Sequence, residues 1–283
     1  MSLVTLKEIL TKANKTHYAV PAFDAVEHIS AEAVIRAAEA QSRPVILMVP
    51  QAAFPLIDTA TFFPFLVWLA ERASVPVALE LDHGQNLEGI QLAIDGGFTS
   101  VMIDGSALPF EKNIALTRQV VALAHAAGVS VEAEIGHVAG GEGSFDGNDV
   151  DESMYTNPHE AERFVQETGV DALAIAIGTV HGVYKGAPKL DFERLREIKG
   201  RVAVPLVLHG GSGVSDDEFA WAIRSGINKI NIFTEISFAA LKKSVAYANE
   251  RGLKLHFAEM LLTGKQTVFD IAADYLVKFG ESK

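Results

Sequence analysis

Three histidines, His83, His181 and His209, stand at or just after the ends of apolar segments, and carboxylates gather on the same rim: Asp82, Asp104 and Glu134. Zinc commonly takes three protein ligands and keeps a fourth position open for water or substrate. Three imidazoles converging from three strand ends would make such a site. The chain has no cysteine, so a transition metal has only His, Asp and Glu to bind. A lone histidine is more often a hydrogen-bonded structural residue, but three on one rim in a chain with nine point to a metal. His17, His28, His125, His137, His159 and His256 fall on expected helices or loops and are assigned no role, although His137 follows Glu134 closely. Asp82 directly precedes a candidate ligand. Its carboxyl group would lie beside the metal and could move a proton to or from a substrate oxygen. Asp104 and Glu134 could equally orient a ligand histidine or cap a helix.

Two glycine-rich turns follow. HGGSG (209–213) supplies Gly210, Gly211 and Ser212, and HGVYK (181–185) supplies Gly182 and Lys185. Glycine lets backbone N–H groups approach an anion, and a helix N-terminus favours negative charge. Ser215 and Glu218 have the spacing of a capping box for the next helix. Thr234 can add a hydroxyl. The stretch 138–157 is too long and polar for an ordinary connection. Gly140 and Gly141 could hinge it, with Glu142 as the carboxylate carried into the site; the alternative is a solvated acidic loop.

Eight short apolar runs must position these residues: 18–23, 44–49, 76–83, 100–105, 129–136, 172–178, 205–211 and 229–233. Helical periodicity fills the intervals, at about 28–41, 57–73, 85–96, 111–127, 158–168, 191–199, 215–225 and 235–250. Strands apolar on both faces and separated by helices imply a parallel sheet covered by helices. Eight such units predict an α/β fold, a closed (β/α)8 TIM barrel, over an open doubly wound sheet. The polar residues cluster at the C-terminal strand ends, where barrels of this kind carry their active sites. One domain over 1–283 is expected, with a helical extension over about 251–283 whose apolar residues would cap the barrel or join two subunits. The net charge of −12 repels nucleic-acid phosphates and anionic lipid. Neither is an expected partner. The first 15 residues read as an amphipathic helix without the apolar core of a secretion signal, and a cytoplasmic location is expected.

LDHG (81–84), TSVMIDGS (99–106), VEAEIG (131–136), AIGTVHGVYK (176–185), PLVLHGGSG (205–213) and KINIFTE (229–235) resemble the successive motifs of class II fructose-bisphosphate and tagatose-bisphosphate aldolases. The resemblance covers about residues 3–250. It implies His83, His181 and His209 as ligands of one catalytic zinc, and Asp82 as proton donor to the aldehyde oxygen. Asp104 and Glu134 would lie near a second metal position. It further implies Glu142 as the acid handling the proton at the ketose carbon, and Gly182, Gly210, Ser212 and Thr234 as phosphate contacts. Asn231 would contact the enediolate. A monovalent cation (Na+ or K+) near the phosphate and a homodimer or homotetramer are also implied.

Two stretches depart from the family pattern. Asp24, in FDAVEH (23–28), stands where an asparagine is usual, and VPQAAF (49–54) lacks the usual Ser or Thr. A charge at Asp24 would disfavour a second phosphate nearby. The expected activity is metal-dependent, reversible aldol cleavage of a phosphorylated ketose, of the ketose-bisphosphate type, to dihydroxyacetone phosphate and an aldehyde, as in carbohydrate metabolism and glycolysis. The rivals are a metal-dependent sugar-phosphate isomerase or epimerase, a non-catalytic barrel subunit, and a Schiff-base aldolase. The last has only Lys229 as a strand lysine to offer.

Overall fold

The computed structural model describes residues 2–140, 152–186 and 188–280. In chain order the elements are α1 (Leu6–Thr16), β1 (Val20–Asp24), α2 (His28–Gln41), β2 (Val45–Pro50), α3 (Thr59–Arg72), β3 (Val77–Gly84), α4 (Leu87–Asp95), β4 (Ser100–Ile103), α5 (Phe110–Ala126), β5 (Ser130–Ile135), α6 (Pro158–Thr168), β6 (Ala172–Ile175), α7 (Phe192–Arg201), β7 (Leu206–Leu208), α8 (Asp216–Arg224), β8 (Ile227–Ile232), α9 (Thr234–Glu250) and α10 (Phe257–Phe279). The strands pair in parallel in sequence order, and β8 pairs with β1. The sheet is therefore a closed barrel, and the open-sheet alternative is excluded.

Strand alternation divides the apolar residues into two cores, because successive side chains point to opposite faces. Phe23, Val45, Leu47, Val49, Leu79 and Leu81 face outward beneath the helices. Val20, Ala22, Ile46, Met48, Ala78 and Val207 face inward, with Leu6, Ile9 and Leu10 of α1. Helix α1 thus plugs the N-terminal end of the barrel, and its start is fixed by a capping box between Thr5 and Glu8.

The interior changes character toward the other end. Continuing the inward parity of Ala78 brings Glu80 and Asp82. The same parity on β5 and β8 brings Glu132 and Glu134, then Lys229 and Asn231; all six are buried. Half of the barrel is an apolar plug and the other half a polar chamber, so the fold delivers its charged groups to the C-terminal rim.

Three details differ from or refine the sequence reading. Strand β8 starts at Ile227, two residues before the expected run, and buried Asn228 donates to the Tyr18 carbonyl at 3.3 Å. Helix α10 lies against α2, α9 and β1 in the outer ring, burying Val268, Ala272, Tyr275, Leu276 and Phe279. Capping the barrel end therefore falls to α1. Helix α8 is capped by Ser215 and Glu218 as the spacing predicts. Among the described residues no helix is long and apolar enough to cross a membrane.

Candidate active site

Asp82 and His83 are neighbours, so a regular strand would send them to opposite faces. The β3–β4 register shifts between Leu81 and Gly84, and His83 has φ 44°. An irregularity of this kind re-aims a side chain, and the left-handed backbone of a non-glycine residue marks strain held by its surroundings. Gly84 must be glycine here, since a Cβ would meet the Met102 carbonyl oxygen at 2.3 Å. The result is that Asp82 and His83 both serve the chamber.

His83, His181 and His209 come together. His83 Nε2 lies 3.2 Å from His181 Nε2 and 3.1 Å from His209 Nδ1. The opposite nitrogen of each ring is held from behind. His83 Nδ1 is 2.9 Å from Asp104 Oδ2, His209 Nε2 is 2.9 Å from Glu132 Oε1, and His181 has a backbone hydrogen bond at Val138. These acceptors assign a proton to each rear nitrogen and leave three lone pairs facing one another, with Asn231 Nδ2 also 3.4 Å from His209 Nδ1. Such a cluster suits a cation. Two nitrogens about 2.05 Å from one tetrahedral zinc lie about 3.3 Å apart, close to the observed separations. Burial and the neighbouring imidazoles push His181 well below the ordinary histidine pKa, which keeps it in the neutral form a metal requires.

The carboxylates differ in their surroundings. Asp104 also accepts from the Ser106 amide at 3.0 Å and hydroxyl at 2.7 Å. Burial alone would raise its pKa, but His83 and Ser106 hold it below the usual range. Ser106 continues to His137 Nδ1 at 3.0 Å, which gives His137 a place at the edge of the site. Glu134 accepts from the Val138 amide at 3.1 Å, and burial, with Asp104 nearby, raises its pKa. His83, Asp104 and Glu134 form a second set of ligand atoms within 4.8 Å of one another. Asp82 is fully buried and its Oδ1 accepts from Asn231 Nδ2 at 3.3 Å. Asp82 Oδ2 and Glu134 Oε2 have no hydrogen-bond partner among the described residues, so both oxygens are available to something in the chamber.

Beneath the histidines lies a cluster that the sequence reading missed. Lys229 Nζ donates to Glu80 Oε2, and to Glu132 Oε2 at 2.8 Å, with all three side chains fully buried. Burial would lower the lysine pKa, but the two carboxylates outweigh it and keep the ammonium charged. An ammonium held between two carboxylates is not a free amine nucleophile, so the strand lysine named for the Schiff-base reading is already engaged. Burial pushes Glu80 up. Glu132 is also buried, yet Lys229 and His209 hold it below the usual carboxylate range. Glu132 is therefore the ionised partner and can hold the rear N–H of His209. The available signal was parity: each of these residues stands two positions before one already selected, Asp82, Glu134 or Asn231.

A narrow cleft on the β6–β8 side is lined by His181, Gly182, Gly210, Gly211, Ser212, Asn231, Phe233 and Thr234. Gly210 has φ 67°, and a Cβ there would meet the Val180 carbonyl oxygen at 2.3 Å. Tyr184, not singled out from sequence, locks this turn by donating to the Gly210 carbonyl at 2.6 Å. Helix α9 starts here without a side-chain cap, while Ser212 Oγ accepts from the Glu235 amide at 3.1 Å. Lys185 is exposed and does not line the cleft. Asp24 is buried at the end of β1. Glu142, assigned above to carbon proton transfer, lies outside the described residues, as does Gly141.

The family model for class II fructose-bisphosphate aldolase matches residues 4–283. A fructose-bisphosphate aldolase of Geobacillus stearothermophilus is 45% identical over 245 residues, covering 86% of this chain and 84% of its own. A 6-phospho-5-dehydro-2-deoxy-D-gluconate aldolase of Halalkalibacterium halodurans is 43% identical over 279 residues, covering 96% and 90%. Among solved structures, the YdjI aldolase of Escherichia coli superposes with a TM-score of 0.88 at 35% identity, covering 99% of this chain and 98% of that one.

Proposed function

Because the chain belongs to the class II fructose-bisphosphate aldolase family, a family of metal-dependent aldolases that cleave phosphorylated ketoses reversibly, we propose that His83, His181 and His209 hold its catalytic metal, zinc, and that Asp82 is its proton-transfer group. The observation that carries this reading is the three inward-facing imidazole nitrogens, each with its rear nitrogen tied to a separate acceptor. The isomerase and non-catalytic readings are not favoured: the relatives are aldolases, and the full set of candidate ligands is in place.

Zinc bound there would supply a Lewis acid for the ketose oxygens. The protein's own groups do the rest. Cleavage breaks the carbon–carbon bond beyond the carbonyl-bearing fragment and leaves its electron pair on the carbon next to the carbonyl. The departing fragment becomes an aldehyde when its hydroxyl loses a proton. Asp82 takes that proton through Oδ2, while Asn231 steadies Oδ1; in condensation the same oxygen returns it. The amides and hydroxyls of Gly182, Gly210, Gly211, Ser212 and Thr234 hold the phosphate, so that binding energy remote from the reacting bond fixes its position. Dihydroxyacetone phosphate is the expected ketose fragment.

The reading leaves Asp104 as the group that orients His83, with Glu134 completing a second metal position. It gives Glu142 the proton at the ketose carbon, and a monovalent cation would lie near the phosphate. Exposed Phe238, Leu241, Val245, Phe257 and Leu262 on α9 and α10 support a homodimer or homotetramer. One assay tests the function: release of dihydroxyacetone phosphate from a panel of phosphorylated ketoses, with Glu142→Ala read by hydrogen exchange at the ketose carbon. Release is expected from at least one ketose, and exchange should be lost in the variant. Isomerised ketose with no release would replace the aldolase reading with an isomerase.

A further inference from the structure

The two sides of the barrel mouth are built differently. On the β6–β8 side, glycines, hydroxyls and the uncapped start of α9 line a cleft fit for phosphate. The loops after β1, β2 and β3 contain no lysine or arginine, but they carry Glu27 and Asp58, with Asp24 and Asp82 at the strand ends. The helix starts on that side are already filled. Glu27 accepts from the Ile29 amide at 2.5 Å and the Ser30 amide at 2.8 Å. Asp58 accepts from the Ala60 amide at 3.2 Å, and Asn86 from the Gly89 amide at 2.8 Å. These four amides are taken by the chain itself, and two of the three caps are carboxylates.

A cavity of about 610 Å³ opens between α2, α9 and α10, beside the loop after β1. Phe233 lines both it and the phosphate cleft, so the two are adjacent. Its wall is mostly apolar, with Val26, Ile29, Ile236 and Met260, and its carboxylates are Asp24 and Glu27. Lys265, the only Lys or Arg on the wall, is paired with Glu32.

We propose that the substrate carries one phosphate, at its ketose end, and that its far end is free of anionic groups, with Asp24 and Glu27 as the residues that impose this choice. The inference rests on the aldolase reading of the same site, including phosphate in the glycine-lined cleft. An anionic terminus would meet like charges at helix starts whose capping amides are already taken, a cost that sets specificity by repulsion.

The test is calorimetric binding of hexitol 1-phosphate and hexitol 1,6-bisphosphate to the zinc-loaded protein, paired with condensation of dihydroxyacetone phosphate with glyceraldehyde or glyceraldehyde 3-phosphate. The monophosphate is expected to bind at least about tenfold more tightly, and unphosphorylated glyceraldehyde should have the higher kcat/KM. Asp24→Asn and Asp24→Asn/Glu27→Gln should shrink both preferences stepwise. Tighter binding of the bisphosphate, or a preference unmoved by both variants, overturns the inference and leaves the aldolase reading standing. Failure of both polyol phosphates to bind removes the phosphate-cleft reading and this inference with it.

Discussion

Asp82→Asn will keep its metal and lose most of its turnover. The substitution preserves the size of a side chain that is fully buried, and its amide oxygen can still accept from Asn231. What it removes is the basicity of Oδ2, the oxygen without a hydrogen-bond partner among the described residues. Proton transfer by a positioned side chain contributes about 10²–10⁴-fold to rate, and kcat is expected to fall within that range. Metal content should match the parent, because the three imidazoles and their rear acceptors are untouched. If metal is lost in proportion to activity, Asp82 instead holds the site together.

Lys229→Met should show its effect in stability and metal affinity together. The ammonium is the only lysine or arginine partner that Glu80 and Glu132 have among the described residues. Removing one member of a buried ion cluster costs about 3–5 kcal/mol, which for a protein of this size lowers Tm by on the order of 10 °C. Without Lys229, Glu132 loses the charge that keeps it ionised, and with it the grip on the rear N–H of His209. Losing such a supporting contact typically costs about 10–100-fold in metal affinity. Glu80→Gln is the control: it leaves the Lys229–Glu132–His209 chain intact, so zinc affinity should stay within a few-fold of the parent. A Lys229→Met protein that binds zinc as tightly as the parent would reduce the cluster to a structural element.

The barrel was legible because its signal is local and repeated. Val/Ile-rich runs such as 44–49 alternate with helical periodicity, and the S-D-D-E spacing at Ser215 marks a helix start that forms as written. Much of the site was legible too, since its residues end those runs. What escaped required knowledge across strands. Glu132 and Lys229 come from distant parts of the chain and meet only when β5 and β8 share one interior. Glu132 sits inside VEAEIG beside the more conspicuous Glu134. The left-handed backbone at His83 could not be read locally, because it goes with the register shift between β3 and β4, which only the paired strands reveal. Nor could apolar pattern alone decide which helix would close the barrel: α1 and α10 are both amphipathic, and the choice follows from which one can reach the interior core.

The central claim, a zinc held by three histidines and required for cleavage, is tested most directly by stripping the protein with a chelator and titrating zinc back while following ketose cleavage and bound metal. The account predicts no cleavage in the stripped protein, then activity rising in step with zinc to one equivalent per chain. The same titration of His181→Ala should give neither tight binding nor recovery. Full activity in metal-free protein, or recovery in His181→Ala equal to the parent, would contradict it.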